Sequence, residues 1–224
     1  HQSICDIDRY GKYLIFILDH DAFISHLRME GKYNIKQKDE PYDKHDHIIF
    51  HMTDGTDLRY NDTRKFGRMQ LVDKEYYREY PPLSRLGQEP MEATFDYIYP
   101  HIHQSHLPIK QLLLDQTIFT GIGNIYANEI CFRMGMDPRT RGDRFSKKRI
   151  LELIEVSSTI LKEAIAQGGT TIHSFDANGI HGLFQVTLSV HAQTTCSKCK
   201  GPIKKITIAG RGTYYCPHCQ KRRY

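Results

Sequence analysis

The spacing of hydrophobic residues changes once along the chain, near residue 92. From the opening stretch SICDIDRYGKYLIFIL to residue 72, short β-branched and aromatic runs alternate with turn signals such as TDGTD and NDTRKFG. Several short strands at this spacing predict part of an antiparallel β-sandwich or barrel. Three prolines in YPPLSRLGQEP then break the pattern, which predicts a linker at residues 81–91.

After the linker the apolar positions recur with helical spacing. The stretches IKQLLLDQTIF and GNIYANEICFRMG each predict an amphipathic helix, and Gly135 ends the second at a C-cap position. The longest predicted helix begins after Ser146, a candidate N-cap, and ends at Gly168 and Gly169. Strands followed by helices place the chain in the α+β class.

Two Cys-x-x-Cys pairs near the C-terminus predict a metal site. They flank sixteen residues and supply four thiolates, which suits one tetrahedral Zn²⁺: Cys196, Cys199, Cys216 and Cys219. Because no position is left for a catalytic water, the zinc is predicted to be structural. A redox or disulfide pair is the alternative, and it fits less well because the two pairs flank a hairpin-like insert.

The insert PIKKITIAGRGTYY alternates like two strands around a glycine-rich turn. This pattern predicts Arg211 at the hairpin tip, between two glycines that let the backbone approach another surface closely. A planar guanidinium on such a tip suits a phosphate or a base edge. The alternative is a solvated arginine in a turn.

Composition narrows the range of partners without naming one. The chain has 224 residues, enough for one large domain or two modest ones, and a formal net charge of +5 that favours polyanions moderately. No apolar run of about 18 residues occurs, so no membrane partner is predicted. Cys5 and Cys131 lie apart from the paired cysteines, which favours metal-bound thiolates in a reducing compartment.

Five stretches carry a more specific combination of motifs: RYGKYLIF (9–16), HLRMEGKY (26–33), NDTRKFGRM (61–69), DQTIFTGIGNIYANEI (115–130) and AGRGTYYCPHC (209–219). Together, and in this order over essentially the whole chain, they resemble the formamidopyrimidine-DNA glycosylase family. These are bacterial base-excision enzymes related to endonuclease VIII.

The resemblance implies a fold and an activity. The fold is an incomplete N-terminal antiparallel β-sandwich over residues 1–80, a helix-two-turn-helix domain over 92–190 and a zinc finger over 191–224. The activity is removal of oxidised purines such as 8-oxoguanine and formamidopyrimidines from duplex DNA by base flipping, with β,δ-elimination at the abasic site. The implied protein is a nucleoid-associated monomer of the bacterial cytoplasm. It holds one structural Zn²⁺, and its partner is double-stranded DNA carrying oxidised bases or abasic sites.

The resemblance also implies roles for individual residues. Lys12 matches a lysine that assists strand cleavage, and Arg211 matches the arginine that holds phosphates beside the lesion. Three residues match the wedge that fills the gap left by a flipped nucleotide: Met29, Arg64 and Phe66. Four match DNA contacts: His26, His45, Lys110 and Asn124. Residues 174–181 match the loop that caps the everted base.

One feature of the family is not found in the sequence. The family's nucleophile is a terminal proline followed by a glutamate, and no string of the PELPEVE type occurs in a chain that begins at His1. We therefore expect that an N-terminal segment is missing, and that the chain as given binds damaged or abasic DNA without normal glycosylase activity. The alternatives are a zinc-finger protein that binds damaged DNA without catalysis, an oxidised-pyrimidine glycosylase, and a zinc-stapled protein-interaction domain.

Overall fold

Seven antiparallel strands form the first of two units in the computed structural model, which describes residues 2–169 and 187–222. In the described part of the chain, this unit ends at Ser84. Its strands lie in two sheets, of order β1-β2-β3-β7 and β4-β6-β5. Their bounds are β1 Ile4–Tyr10, β2 Tyr13–Leu18, β3 Asp21–His26, β4 Lys32–Gln37, β5 Asp46–His51, β6 Thr56–Asn61 and β7 Arg68–Asp73.

The opening stretch SICDIDRYGKYLIFIL folds as two strands, β1 and β2. Tyr10 pairs with Tyr13, so only Gly11 and Lys12 connect β1 to β2. Gly11 has φ 58°, the left-handed conformation that a two-residue hairpin turn needs. Lys12 is therefore held at the end of a tight hairpin.

Aromatic rings join the two sheets and confirm the predicted sandwich. Phe16 stacks on Phe23 within the four-stranded sheet, with ring centres 4.4 Å apart. Phe23 also stacks on Phe50 of the other sheet at 5.1 Å, and Phe16 lies 5.1 Å from Tyr33. The Tyr33 hydroxyl donates to Ser25 Oγ at 2.8 Å, which satisfies the polar end of a half-buried ring.

The second unit contains residues 85–169 and, among the remaining described residues, 187–222. Its helices in the described part are α1 Phe95–His103, α2 Ile109–Leu114, α3 Asn124–Arg133 and α4 Lys147–Ala166, and its hairpin strands are β8 Lys204–Ile208 and β9 Arg211–Tyr215. A core of buried aliphatic side chains joins the four helices: Ile98, Ile102, Ile109, Leu113, Ile130, Ile150 and Leu153. None of the described helices combines the length and the apolarity that crossing a membrane requires.

Helix boundaries agree with the sequence where the signal is local. Ser146 Oγ accepts from the backbone N–H of Arg149 at 3.3 Å and caps α4 as predicted. Gly168 and Gly169 follow α4 with φ of 72° and 82°, and Gly135 follows α3 with φ of 61°. These glycines adopt the left-handed conformation that ends helices.

The predicted helix over IKQLLLDQTIF is too long. Helix α2 ends at Leu114 because the next side chains bond to nearby backbone instead of continuing the helix. Asp115 Oδ1 accepts from the N–H of Thr117 at 2.9 Å. The Gln116 side chain donates to the carbonyls of Leu114 and Ile122 at 2.9 and 3.0 Å and accepts from the N–H of Gly121 at 3.1 Å.

Part of the predicted linker belongs to the second unit. The N–H of Gly87 donates to Gln116 O at 2.8 Å, and Gln88 forms a bridge with Phe119. A Cβ at Gly87 would lie 2.4 Å from the carbonyl oxygens of Thr117 and Ile118, so this backbone approach requires glycine. Among the residues that the structure describes, those before 85 belong to the first unit.

Candidate nucleic-acid interface

The four paired cysteines are brought together in the second unit. Their Sγ atoms all lie within 4.8 Å of one another, with 3.8 Å between Cys196 and Cys219 and 3.5 Å between Cys199 and Cys216. A tetrahedral Zn²⁺ with Zn–S bonds of about 2.3 Å separates its sulfurs by roughly 3.8 Å. All four cysteines are free of disulfides, so the arrangement fits one structural zinc ion, as the spacing predicts.

The hairpin β8–β9 places Arg211 beside its turn, not at the tip. Ile208 pairs with Arg211, so the two connecting residues are Ala209 and Gly210, with φ of 48° and 71°. Two left-handed residues make the tight turn that matches strand twist. The expected position of Arg211 at the tip is therefore corrected by one residue: it begins β9, and its side chain is exposed.

A buried lysine braces this end of the hairpin. Lys110 Nζ donates to Gly212 O at 3.0 Å and to Thr213 Oγ1 at 2.7 Å. Asn124 Nδ2 donates to the same Gly212 carbonyl at 3.0 Å, and Thr213 Oγ1 donates to Arg211 O at 3.1 Å. Side chains from α2 and α3 thus fix the backbone that directly follows Arg211.

The burial of Lys110 does not fit the expected direct phosphate contact. Its side chain is 0% exposed, and both printed acceptors belong to the hairpin. Burial lowers the pKa of Lys110 to about 8, while the buried Cys131 thiol opposes this shift and Arg211 adds to it. The contacts of Lys110 therefore favour a role in supporting the hairpin, and its expected contact with DNA stays a prediction.

Asn124 is the first residue of α3, after Gly123. At this position a helix presents backbone N–H groups that have no partner within the helix, which suits an anion. The Asn124 amide is already used by Gly212, so it orients the hairpin as well as the helix start. Its Oδ1 is buried and has no hydrogen-bond partner among the described residues.

In the first unit, a buried carboxylate shapes the loop after β6. Asp62 accepts from the N–H groups of Arg64, Phe66 and Gly67 at 3.0, 2.9 and 2.9 Å. Burial alone would raise the pKa of Asp62, but these backbone donors outweigh it and lower the pKa. The sequence analysis did not identify Asp62, although Asn-Asp before a turn is a common loop anchor.

This loop holds an apolar ring in solvent. Phe66 is 53% exposed, and the Arg64 guanidinium lies 4.8 Å from its ring centre. A Cβ at Gly67 would lie 1.6 Å from the Tyr60 hydroxyl, so the loop can pack here only with glycine. A ring kept exposed on a rigid loop is available for stacking against another planar group.

A second exposed apolar side chain lies on the neighbouring turn. Met29 is 66% exposed and follows Arg28, which has φ 58°. The Thr63 hydroxyl hydrogen-bonds to Glu30, which ties this turn to the loop that carries Phe66. The structure therefore brings the predicted residues Met29, Arg64 and Phe66 to one part of the first unit.

Lys12 and His26 line one cavity with two arginines that the sequence analysis missed. The cavity has a volume of about 250 Å³, and Arg9 and Arg28 also line it. His26 Nδ1 accepts from the N–H of Arg28 at 2.9 Å, which requires an unprotonated Nδ1. Burial, then the charges of Arg28 and Lys12, lower the pKa of His26 to about 4, so the ring is neutral at pH 7.

His45 lies beside the anchored loop through its backbone. Its carbonyl accepts from the N–H of Asp62 at 3.1 Å, and its own N–H donates to Asp43 Oδ1 at 2.8 Å. The ring is 6.4 Å from that of His47, whose Nε2 contacts Asp62 O at 2.8 Å. Residues 174–181, the predicted capping loop, lie outside the described residues.

The described part of the chain thus combines an antiparallel β-sandwich with a helical unit that carries a zinc-supported hairpin. Three family models match the chain: the formamidopyrimidine-DNA glycosylase N-terminal domain at residues 1–69, the H2TH domain of the same enzymes at 86–176, and the zinc finger found in FPG and IleRS at 195–222. The chain belongs to the formamidopyrimidine-DNA glycosylase family. This is an enzyme family with glycosylase and abasic-site lyase activity.

Individual relatives agree with the family models. The chain is 43% identical to the formamidopyrimidine-DNA glycosylase of Bacillus licheniformis and 45% identical to that of Lactobacillus helveticus, over 99% and 98% of this chain and 82% of each relative. Among solved structures, Lactococcus lactis Fpg in complex with DNA containing an abasic site superposes with a TM-score of 0.92 at 37% identity. It covers 99% of this chain and 83% of that one. A mutant of the same enzyme bound to DNA containing Fapy-dG also gives 0.92, at 36% identity.

Proposed function

We propose that this protein acts in base-excision repair, on duplex DNA that carries oxidised purines such as 8-oxoguanine and formamidopyrimidines. In this proposal the base is flipped out of the duplex and removed, and the abasic strand is cut by β,δ-elimination. The residues assigned below recognise the lesion and assist strand cleavage, and the amine that attacks the sugar is not assigned among them. The observation that carries the proposal is the loop anchored by Asp62, which holds Phe66 53% exposed beside Arg64 and next to the exposed Met29.

An everted nucleotide leaves a gap in the base stack that costs a few kcal/mol. A ring and an unbranched thioether can fill such a gap, and a guanidinium can bond the orphaned partner base. Leaving a Phe side chain in water forgoes about 1.5–3 kcal/mol of burial. Insertion into DNA recovers part of this energy, so Phe66 and Met29 are suited to stabilise the flipped state.

Lys12 is the proposed catalytic lysine at the abasic site. The tight turn after Gly11 positions it, and Arg9 and Arg28 line the same cavity. In this setting its amine pairs with a phosphate or moves a proton during β-elimination. The neutral His26 ring has its Nδ1 occupied by the Arg28 N–H, so Nε2–H is the group that can donate to a phosphate oxygen.

Arg211 is the proposed clamp on the phosphates that flank the lesion. The zinc site and the brace from Lys110 and Asn124 fix its backbone, which lowers the entropy lost when the guanidinium binds. The start of α3 at Asn124 supplies backbone N–H groups for a further phosphate. His45, in the first unit, is a further proposed contact near the DNA backbone.

A binding and cleavage assay tests the proposal. The protein is titrated onto a duplex with a tetrahydrofuran abasic analogue and onto an undamaged duplex of the same sequence, and strand cleavage is measured with an 8-oxoguanine duplex. We expect at least tenfold tighter binding to the analogue, and a loss of most of this preference in Phe66→Ala. Tyr76→Ala removes a similarly exposed ring of the same unit, 52% exposed, and should keep the preference.

Equal affinity for the two duplexes would contradict the proposal. Borohydride trapping on the 8-oxoguanine duplex, read by intact mass and peptide mapping, then separates chemistry from binding. A covalent adduct assigns imine formation to these 224 residues and identifies the amine. Retained preference without an adduct assigns to them the recognition of damaged DNA alone. Sedimentation of the complex tests the proposed monomer.

A further inference from the structure

A small cavity in the second unit lies where the end of the zinc module meets the helices. Its volume is about 170 Å³, and it lies between the residues after α3 and the first turn of α4. The backbone of Lys221 is fixed there, because its N–H donates to Gly135 O and its carbonyl accepts from Asp137 N, both at 3.1 Å. The cavity is therefore built by the fold and does not depend on a flexible side chain alone.

The groups around this cavity are cationic. Arg144, Arg149 and Lys221 line it together with Ser146 and Gly135, and none of its lining residues is acidic. Ser146 caps α4, a helix of 20 residues whose N-terminus carries a partial positive charge. Such a combination attracts an oxyanion, but charge at a helix start is not by itself a site.

A buried hydroxyl supplies the second observation. Thr140 lines the cavity, is 3% exposed, and its Oγ1 has no hydrogen-bond partner among the described residues. Its backbone is fully used, since its N–H donates to Asp137 O at 3.0 Å and its carbonyl accepts from Ile109 N at 2.7 Å. A buried hydroxyl without a partner costs about 1–3 kcal/mol, and a ligand oxygen would recover this penalty when the Thr140 side chain turns its Oγ1 into the cavity.

Neighbouring carboxylates leave part of the positive charge available. Arg149 donates to Glu152 at 2.6 Å and to Met134 O at 3.0 Å, so it holds the end of α3 in place. Arg144 lies only 3.9 Å from Asp143, which bonds more closely to Arg141 at 2.7 Å. The Arg144 side chain is 48% exposed, which leaves its guanidinium free to turn toward a ligand.

From these contacts we infer that the cavity is a phosphate-binding site, formed by Thr140, Arg144, Ser146, Arg149 and Lys221. It is separate from the proposed lesion contacts, because α3 has ten residues and a rise of about 1.5 Å per residue puts its two ends roughly 15 Å apart. Asn124 stands at one end of this helix, and Gly135 lies just past the other. The phosphate belongs either to a DNA backbone away from the lesion or to a free phosphorylated small molecule.

Titration with inorganic phosphate tests the site. The labelled full chain is followed by ¹H–¹⁵N NMR while sodium phosphate replaces sodium chloride at constant ionic strength. We expect saturable shifts at the amides of Gly135, Thr140 and Ser146. Thr140→Val and Arg144→Ala should each weaken phosphate binding at least fivefold, and Thr140→Val should not lower the Tm. Lys148→Ala removes an exposed lysine from the same turn of α4 and should change the affinity less than twofold.

A second arm identifies the source of the phosphate. The salt dependence of binding to an undamaged duplex is compared between the native chain and Arg144→Ala/Lys221→Ala. A log–log slope that becomes shallower by about 1 assigns the site to a DNA phosphate. An unchanged slope with lost phosphate binding assigns it to a free anion. The inference is overturned if the native chain shows neither saturable shifts nor a change of slope in the variant, or if the shifts persist in Thr140→Val and Arg144→Ala. These results do not depend on whether the chain excises bases.

Discussion

The loop at Asp62 and the hairpin at Arg211 achieve the same result by different chemistry. Each keeps one side chain exposed to solvent, Phe66 in the loop and Arg211 in the hairpin, on a backbone fixed by hydrogen bonds. In the loop, one buried carboxylate accepts three backbone N–H groups. In the hairpin, the buried Lys110 ammonium donates to the backbone, and four cysteine thiolates in the segments that flank the hairpin form the zinc site. Both exposed side chains thus depend on buried polar anchors, and the two anchors respond to different perturbations.

Metal removal should produce the largest difference between the two regions, because only the hairpin depends on zinc. Apparent binding energies of such sites are about 10–16 kcal/mol, far more than a short hairpin gains from its own core. We expect a strong chelator, or Cys216→Ser, to disorder the hairpin and weaken duplex binding more than tenfold. The NMR signals of the first unit should remain dispersed.

Cys5→Ser is the matched control for the zinc experiment, since Cys5 is exposed and lies outside the cluster. It should leave both the hairpin signals and DNA binding unchanged. If the hairpin signals stay dispersed after the chelator has removed the metal, the hairpin folds without zinc. The two regions would then not differ in their dependence on metal.

Loss of the Asp62 carboxylate should have the second largest effect. Asp62→Ala leaves three loop N–H groups without their acceptor, and we expect the free energy of unfolding to fall by about 3 kcal/mol. Because the pKa of Asp62 is lowered in the folded state, its contribution is present above the ordinary aspartate pKa and is lost as the pH falls through the folded value. Urea unfolding at several pH values measures both effects.

Asp54→Ala provides the comparison for Asp62. Asp54 also accepts from backbone and hydroxyl groups, at Thr56, but it lies in an exposed turn. We expect a loss of about 0.5 kcal/mol. Equal losses in the two variants would show that burial of the carboxylate is not what holds the Phe66 loop.

Removal of the Lys110 ammonium should affect function more than stability. Lys110→Met deletes two hydrogen bonds but also removes a costly buried charge, so we expect the free energy of unfolding to change by only about 1–2 kcal/mol. The looser Arg211 backbone should lower cleavage of an abasic duplex about tenfold. Lys162→Met, an exposed lysine on α4, should leave both quantities unchanged.

Lys110 also predicts a pH dependence of stability. Its pKa falls from 10.5 to about 8 on folding, so the unfolded chain binds more protons between these values. The native chain should therefore gain stability as the pH rises from about 8 to 10.5, relative to Lys110→Met. A constant difference between the two proteins over this range would contradict the burial of a charged amine.

The smallest expected effect concerns His26 in the first unit, whose pKa is also lowered by burial. Its pKa falls from 6.5 to about 4 on folding, so the native chain should lose stability as the pH falls through this window. His26→Gln should reduce that loss, and His20→Gln, at an exposed histidine, should not. An unchanged pH profile in His26→Gln would place the acid sensitivity elsewhere in the unit.

Much of what the sequence predicted correctly depends on short stretches of chain. The Cys-x-x-Cys spacing, the Ser146 cap and the glycines after α3 and α4 depend on neighbours a few residues away, and the structure confirms them. The motif combination identified the family, and the family models match the same stretches. Helix α1 escaped prediction because FDYIYPHIH contains a proline and two histidines, which weaken the apolar pattern.

The sequence by itself determined the α+β class, the zinc ligands and the caps, and it named the residues that are proposed to contact DNA. Only the tertiary structure decided what holds them: Lys110 reaches a carbonyl 102 positions away, and Arg28 joins Lys12 in one cavity. It also decided that Gln116 ends α2, since that side chain needs acceptors and donors brought close by the following turn. Caps and ligand spacings are set within one turn of chain, whereas the partner of a buried charge is known only once distant segments have packed together.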